Sequence, residues 1–133
     1  MKQISVFIEN EKGELAAVTK LLADNCVNLK ALCIADSVDY GILRIATDEV
    51  DVAVDALVSG GYLVKVTDVL VVKTEDKAGS LAKIMAALGG EIDVEYAYAF
   101  TSSEPNVSLM VFRVGDNDKA LAALRAAGIN ATL

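Results

Sequence analysis

The chain contains no histidine. That absence removes the commonest general base at neutral pH and the commonest metal ligand together, so zinc sites of the usual cysteine–histidine kind cannot be assembled. No metal or cofactor is expected. Cysteine is scarce too. Cys26 and Cys33 are too few and too close to form the disulfide framework of a secreted domain. Both are expected as buried or half-buried thiols, the alternative being one reactive or regulatory thiol. Positive charge is in deficit, 12 Lys and Arg against 19 Asp and Glu, for a net charge of −7. The electrostatic footprint of a phosphate-backbone binder is missing, so neither nucleic acid nor an anionic membrane is an expected partner. No apolar run approaches the roughly 18 residues that span a bilayer. The N-terminal MKQISVFIENE turns acidic before a signal-peptide core can form, and an uncleaved, soluble, cytoplasmic protein is expected.

What the chain does contain is a repetition. ENEKGELAAVTKLL returns sixty-six positions later as EDKAGSLAKIMAAL, with Gly13, Leu15, Ala16 and Val18 matched by Gly79, Leu81, Ala82 and Ile84. Internal repeats decide the architecture before anything else does.

Each copy reads as the same succession of elements. Residues 3–9 alternate Ile4, Val6 and Ile8 against Ser5, Phe7 and Glu9, a strand with one face toward a core. After the turn at Gly13 the period changes to a helical stripe, Leu15, Val18, Leu21 and Leu22, ended by Asp24 and Asn25. Strands are predicted over 27–35 and 40–47, joined by the hairpin turn Asp36-Ser37-Val38-Asp39. A helix over 48–59 with Val50, Val54, Leu57 and Val58 inward stops at Gly60-Gly61, and a strand over 62–67 closes the unit. The second copy predicts a strand over 69–73 and a helix over 80–88 with Leu81, Ile84, Met85 and Leu88 inward. Strands over 92–100 and 107–114 flank a turn at Pro105, the only proline. A helix over 116–127 and a short final strand follow. The offset is expected to hold at Leu43/Leu109 and Ile45/Val111 and to slip by one at Leu57/Leu124, where the second helix begins.

The fold class is therefore α+β: two ferredoxin-like βαββαβ repeats, 1–67 and 68–133, each an antiparallel sheet with both helices on one face. Residues 62–73 hold neither Gly nor Pro, so no flexible linker is expected. The repeats are expected to pack side by side as one unit, which also covers sheet edges.

The chemistry could sit around Gly13. Glycine lets a ligand approach the backbone, and the helix behind it offers unpaired N–H groups and a positive dipole end suited to a carboxylate. Asn10 can donate and accept. The plainer reading is a turn with an Asx or capping asparagine. Tyr96 and Tyr98 share one strand face, either as core or helix-facing packing or as ligand lining. Tyr40 and Arg44 share another, either as exposed sheet residues or as a cation for a carboxylate. The acidic stretch DEVDVAVD reads as a solvated helix face.

The topology, the strand–[DN]-x-x-G-x-L–helix segment and the second-strand opening V-N-L resemble the ACT domain, a regulatory amino-acid-binding module, across essentially the whole chain. The resemblance implies effector binding between paired domains, the first loop coming from one domain and the second-strand start from the other. It places the ligand-holding loop on Asn10, Glu11, Lys12 and Gly13, running into Glu14 and Leu15, with Leu15 anchoring the helix. The partner asparagine falls on Asn28, fifteen positions beyond the glycine. In the second copy Asp76 and Gly79 take the loop positions and Asp93 the second-strand position. The proline often found before the glycine is absent twice, replaced by Lys12 and Ala78. Aspartates stand where the first copy has asparagines, so two unequal sites are expected. Implied is a non-enzymatic regulator that senses an amino acid or related carboxylate and acts in trans, as a homodimer, on an enzyme partner. The alternatives are a ligand-free interaction subunit of an amino-acid-metabolism enzyme and an acylphosphatase-like hydrolase. The last would want an arginine in the first loop, where only Lys12 stands.

Overall fold

The computed structural model describes residues 1–36, 40–100 and 102–133. In chain order it holds β1 (Lys2–Glu9), α1 (Glu14–Asp24), β2 (Ala31–Asp36), β3 (Tyr40–Ala46), α2 (Val50–Ser59) and β4 (Leu63–Asp68). Then come β5 (Leu70–Glu75), α3 (Ser80–Leu88), β6 (Val94–Phe100), β7 (Val107–Val114), α4 (Asn117–Ala126) and β8 (Asn130–Thr132). Two four-stranded sheets result, in the orders β2-β3-β1-β4 and β6-β7-β5-β8. The chain divides into two compact units, 2–67 and 68–133, Met1 belonging with the latter.

In the first unit Ile4, Val6 and Ile8 of β1 and Leu43 and Ile45 of β3 pack against Val18 and Leu22 of α1 and Ala53 and Leu57 of α2. In the second, Leu70, Val72, Phe112 and Val114 meet Ile84 and Leu88 of α3 and Ala120, Leu121 and Leu124 of α4. Both helices of each unit thus lie on one sheet face, as the alternation of the strands requires. The opposite face of β1 is not simply solvated, since Gln3 and Ser5 are buried and the Gln3 side-chain amide donates to Ser5 Oγ at 3.0 Å.

Several inward assignments are corrected. Leu15, Val58, Leu81 and Met85 are exposed. A helical stripe says which side faces the sheet, not how far along the helix the core extends. Leu15 and Leu81 stand in the first turns of α1 and α3, beside exposed loops. The buried line of α3 is Ser80, Ile84, Leu88, and Leu81 and Met85 sit one residue, about 100°, further round. Val58 stands in the same relation to buried Leu57. Cys26 is exposed rather than buried, at a positive φ of 58° where the chain leaves α1, while Cys33 is half-buried; both are free thiols.

The strand register also moves the slip between the repeats. Val6 faces Leu43 and its counterpart Val72 faces Met110, so Leu43 corresponds to Met110 and Ile45 to Phe112, at an offset of 67. The expected Leu43/Leu109 and Ile45/Val111 matches put core residues against residues of the opposite sheet face. The extra residues lie in the connection between β6 and β7, before the last helix. The hairpin turn predicted at 36–39 falls mostly outside the described residues. Tyr96 and Tyr98 alternate with Ala97, which opposes the core residue Phe112. Both tyrosines therefore lie on the sheet face away from the helices, not helix-facing as expected, and Tyr98 is buried there.

Candidate functional site

The loops after β1 and β5 share one construction. Gly13 and Gly79 precede α1 and α3 with φ of 94° and 89°, a left-handed conformation costly to any residue bearing a Cβ. Nothing lies within 4 Å of where a Cβ would stand on either, so it is the backbone angle that demands glycine and the space above it is open. No side chain caps either helix. Gly13 C=O accepts from Ala17 N–H at 2.8 Å, and Glu14 N–H makes a long 3.4 Å contact to Glu11 C=O. In the second copy Lys83 N–H donates to Gly79 C=O at 3.0 Å and Ser80 N–H to Lys77 C=O at 3.2 Å. That leaves the next two amides of each helix, at Leu15 and Ala16 and at Leu81 and Ala82, for solvent or a ligand.

Asn10, Glu11, Lys12 and Gly13 are exposed, Glu14 is half-buried, and Leu15 forms an apolar rim at 39% exposure rather than an anchor in the core. Asp76 and Gly79 are likewise exposed, with Asp76 N–H donating to Asn106 C=O at 2.9 Å. Asn28 and Asp93, expected to open the second strand of each unit, instead precede β2 and β6, and within one unit they are far from these loops. Asn10 follows Glu9, which opposes Tyr40, whereas Asn28 precedes Lys30, whose N–H bonds Ala46 C=O, and Ala46 opposes Gln3. Gln3 and Glu9 are six strand residues apart, about 20 Å. Asn28 is exposed and its backbone N–H donates to Glu49 Oε2 at 3.2 Å. Asp93 occupies the same end of the second sheet, its C=O accepting from Gly115 N–H at 3.0 Å. Neither unit alone brings its loop and its second-strand residue to one small ligand.

Tyr40 is exposed and Arg44 half-buried, opposite Ser5 and Cys33 on the face away from the helices. Among the described residues no group of three or more Cys, Asp or Glu is arranged to hold a metal ion, and no helix is long and apolar enough to cross a membrane.

Beside the second loop the structure contains what the motif did not signal, a cleft of about 350 Å³ between α3, β5 and the start of β8. Ser80, Lys83 and Asn130 line it. Of these only Lys83 had a sequence cue, as the cation at the position of Ala17.

A family model for an ACT domain pair matches residues 1–129. The chain belongs to this family. Protein BT0572 from Bacteroides thetaiotaomicron is 36% identical with a TM-score of 0.90, over 98% of this chain and 90% of that one. Regulatory subunits of aspartate kinase share the fold at lower identity. The Thermus thermophilus subunit, in ligand-free form, has a TM-score of 0.67 at 16% identity, covering 95% of this chain and 91% of its own. The Thermus flavus subunit has 0.67 at 20%, covering 96% and 90%. No curated protein matches the chain. The ACT domain pair thus has two open, uncapped helix starts behind left-handed glycines, one per repeat.

Proposed function

We propose that this ACT domain pair is a regulatory sensor of an amino acid or related small carboxylate, without catalytic activity of its own, that acts in trans on a partner enzyme. The observation that carries this reading is the duplicated helix start. Twice the chain accepts a left-handed glycine, leaves the helix uncapped and keeps the space above the turn open, where a protein optimised only for stability would place a capping side chain. A carboxylate bound there accepts from the free amides and meets the positive end of the helix dipole. Asn10 and Asn28 hold the ammonium and carboxylate groups. Since one unit separates its own pair by the length of a strand, the loop of one repeat works with the second-strand residue of a different repeat. Ligand then favours the assembly in which the two meet, and regulation is that population shift. The aspartate kinase regulatory subunits named above support the regulatory part of the reading and suggest an enzyme of amino-acid metabolism as the partner.

A thermal-shift panel of the twenty standard amino acids tests it, with Asn10→Ala and Asn28→Ala alongside. A ligand at 100 times its dissociation constant stabilises by about 2.7 kcal/mol, enough to raise the midpoint by several degrees. A shift with one or two amino acids, lost in both variants while their unliganded midpoints are unchanged, is the expected result. If the variants lower the unliganded midpoint and leave the shift intact, the asparagines are structural and the site assignment fails.

A further inference from the structure

The cleft beside the second loop lies wholly within the second repeat. Its apolar wall is Ile84, Val107 and Ile129, and its polar groups gather around the first turn of α3. Ser80 lines it at only 7% exposure, and among the described residues its hydroxyl has no hydrogen-bond partner. The hydroxyl opens onto the cleft, where a ligand oxygen can accept from it in place of water.

The cations around it are not equivalent. Lys73 pairs with Glu104 at 2.7 Å and Lys77 with Glu75. Glu75 is held below its ordinary pKa of 4.5 by the hydrogen bond and charge of Lys77, and further by the field of Lys83. Lys83 itself makes no ion pair among the described residues. One positive charge is therefore left over, beside the Ser80 hydroxyl and the exposed Asn130.

The first repeat supplies the contrast. At an offset of 66, Lys77, Ser80 and Lys83 become Glu11, Glu14 and Ala17. The same place there is acidic and lacks the cation.

We infer that this cleft, with Ser80, Lys83 and Asn130 as its polar groups, is a second ligand site that takes the oxyanion end of a small organic acid or phosphate ester. Ser80 Oγ donates to one oxygen, Lys83 Nζ balances the charge, and Asn130 lines the same cleft as a further donor. The 350 Å³ lies at the small end of ligand sites, so the rest of the molecule is short and rests on Ile84, Val107 and Ile129. This site needs nothing from a second repeat, and the inference does not rest on the sensing role proposed for Asn10 and Asn28.

The test is amide chemical-shift mapping of the full chain, titrated at constant ionic strength with inorganic phosphate and, separately, with glutarate. Saturable shifts confined to residues 79–84 and 128–131 are expected with at least one probe, and which one responds assigns phosphate or carboxylate. Lys83→Gln, at an exposed position, should weaken binding roughly ten- to hundredfold without changing the melting temperature. Ser80→Ala should weaken it to a similar degree, and Lys65→Gln, at an exposed position of the first repeat, should leave it unchanged. Silence with both probes, shifts spread over all lysines without saturation, or saturable shifts that survive Lys83→Gln would each overturn the assignment.

Discussion

The two helix starts share a backbone and differ in chemistry. Behind Gly13 the helix opens with Glu14 and carries Ala17 one turn on. Behind Gly79 it opens with buried Ser80 and carries Lys83. The duplicated part is what the left-handed turn and the free amides require, and a Cβ at either glycine is strained by the positive φ alone. The divergent part is the set of side chains that decides which sign of charge is welcome next to those amides. Duplication thus kept the backbone of the helix start while leaving each copy free to set its own electrostatics. Glu11 and Glu14 make the first copy suited to a ligand that brings an ammonium with its carboxylate. On the inference above, Lys83, left over from ion pairing, makes the second suited to one that does not.

The largest effects test whether the register equivalence is right. Phe112→Ala should cost about 3–5 kcal/mol and Ile45→Ala about 2–5 kcal/mol, because both fill helix-facing cores as counterparts at an offset of 67. Leu109→Ala, at a half-buried position on the other sheet face, should cost clearly less. Urea unfolding monitored by far-UV circular dichroism reads all three. Should Leu109→Ala prove as costly as Phe112→Ala, the equivalence argued from the strand pairing fails.

Next in size is the shared turn. Gly13→Ala and Gly79→Ala should each destabilise by roughly 1–2 kcal/mol, and by similar amounts, since both meet a positive φ in otherwise open space. Thermal unfolding of the two variants compares them directly. A neutral effect at one of them would mean that its turn can relax into another conformation and that the two starts are not built alike.

The order of elements was legible in the sequence because alternation and helical stripes report burial on one face, and because the repeat showed every element twice. The loop motif was legible for the same reason, since Gly13 and Gly79 stand at one offset. The slip before β7 was not. Leu109, Met110, Val111 and Phe112 are all apolar, so a one-residue shift changes which sheet face each occupies without changing the pattern. Leu15 misled because a stripe carries no information about where along the helix the sheet ends, and Leu81 because it sits about 100° round from the buried line of Ser80, Ile84 and Leu88. Ser80 and Lys83 were passed over as helix residues, since only the fold brings β8 across to wall the cleft that gives them a use.

The smallest effects concern the second helix of each repeat, where Asp116 and Glu49 occupy corresponding positions. Asp116 caps α4, its Oδ1 accepting from Lys119 N–H at 3.0 Å, so Asp116→Ala should cost about 1 kcal/mol in thermal unfolding. Glu49, one methylene longer, does not cap α2 but turns back to accept from Thr47 Oγ1 at 2.7 Å and from Asn28 N–H at 3.2 Å. The Thr47 hydrogen bond, followed by that from Asn28, holds the Glu49 carboxyl below its ordinary pKa of 4.5. A group whose pKa is lower folded than unfolded contributes stability above its unfolded pKa and loses it as the pH falls through the folded one. Wild-type protein should therefore lose slightly more stability on acidification below 4.5 than Glu49→Gln does. Urea midpoints taken down this pH range read the difference. Parallel losses in the two proteins would mean that the carboxylate contributes nothing through its charge. Asn28 would then be positioned by the chain around it, not by Glu49.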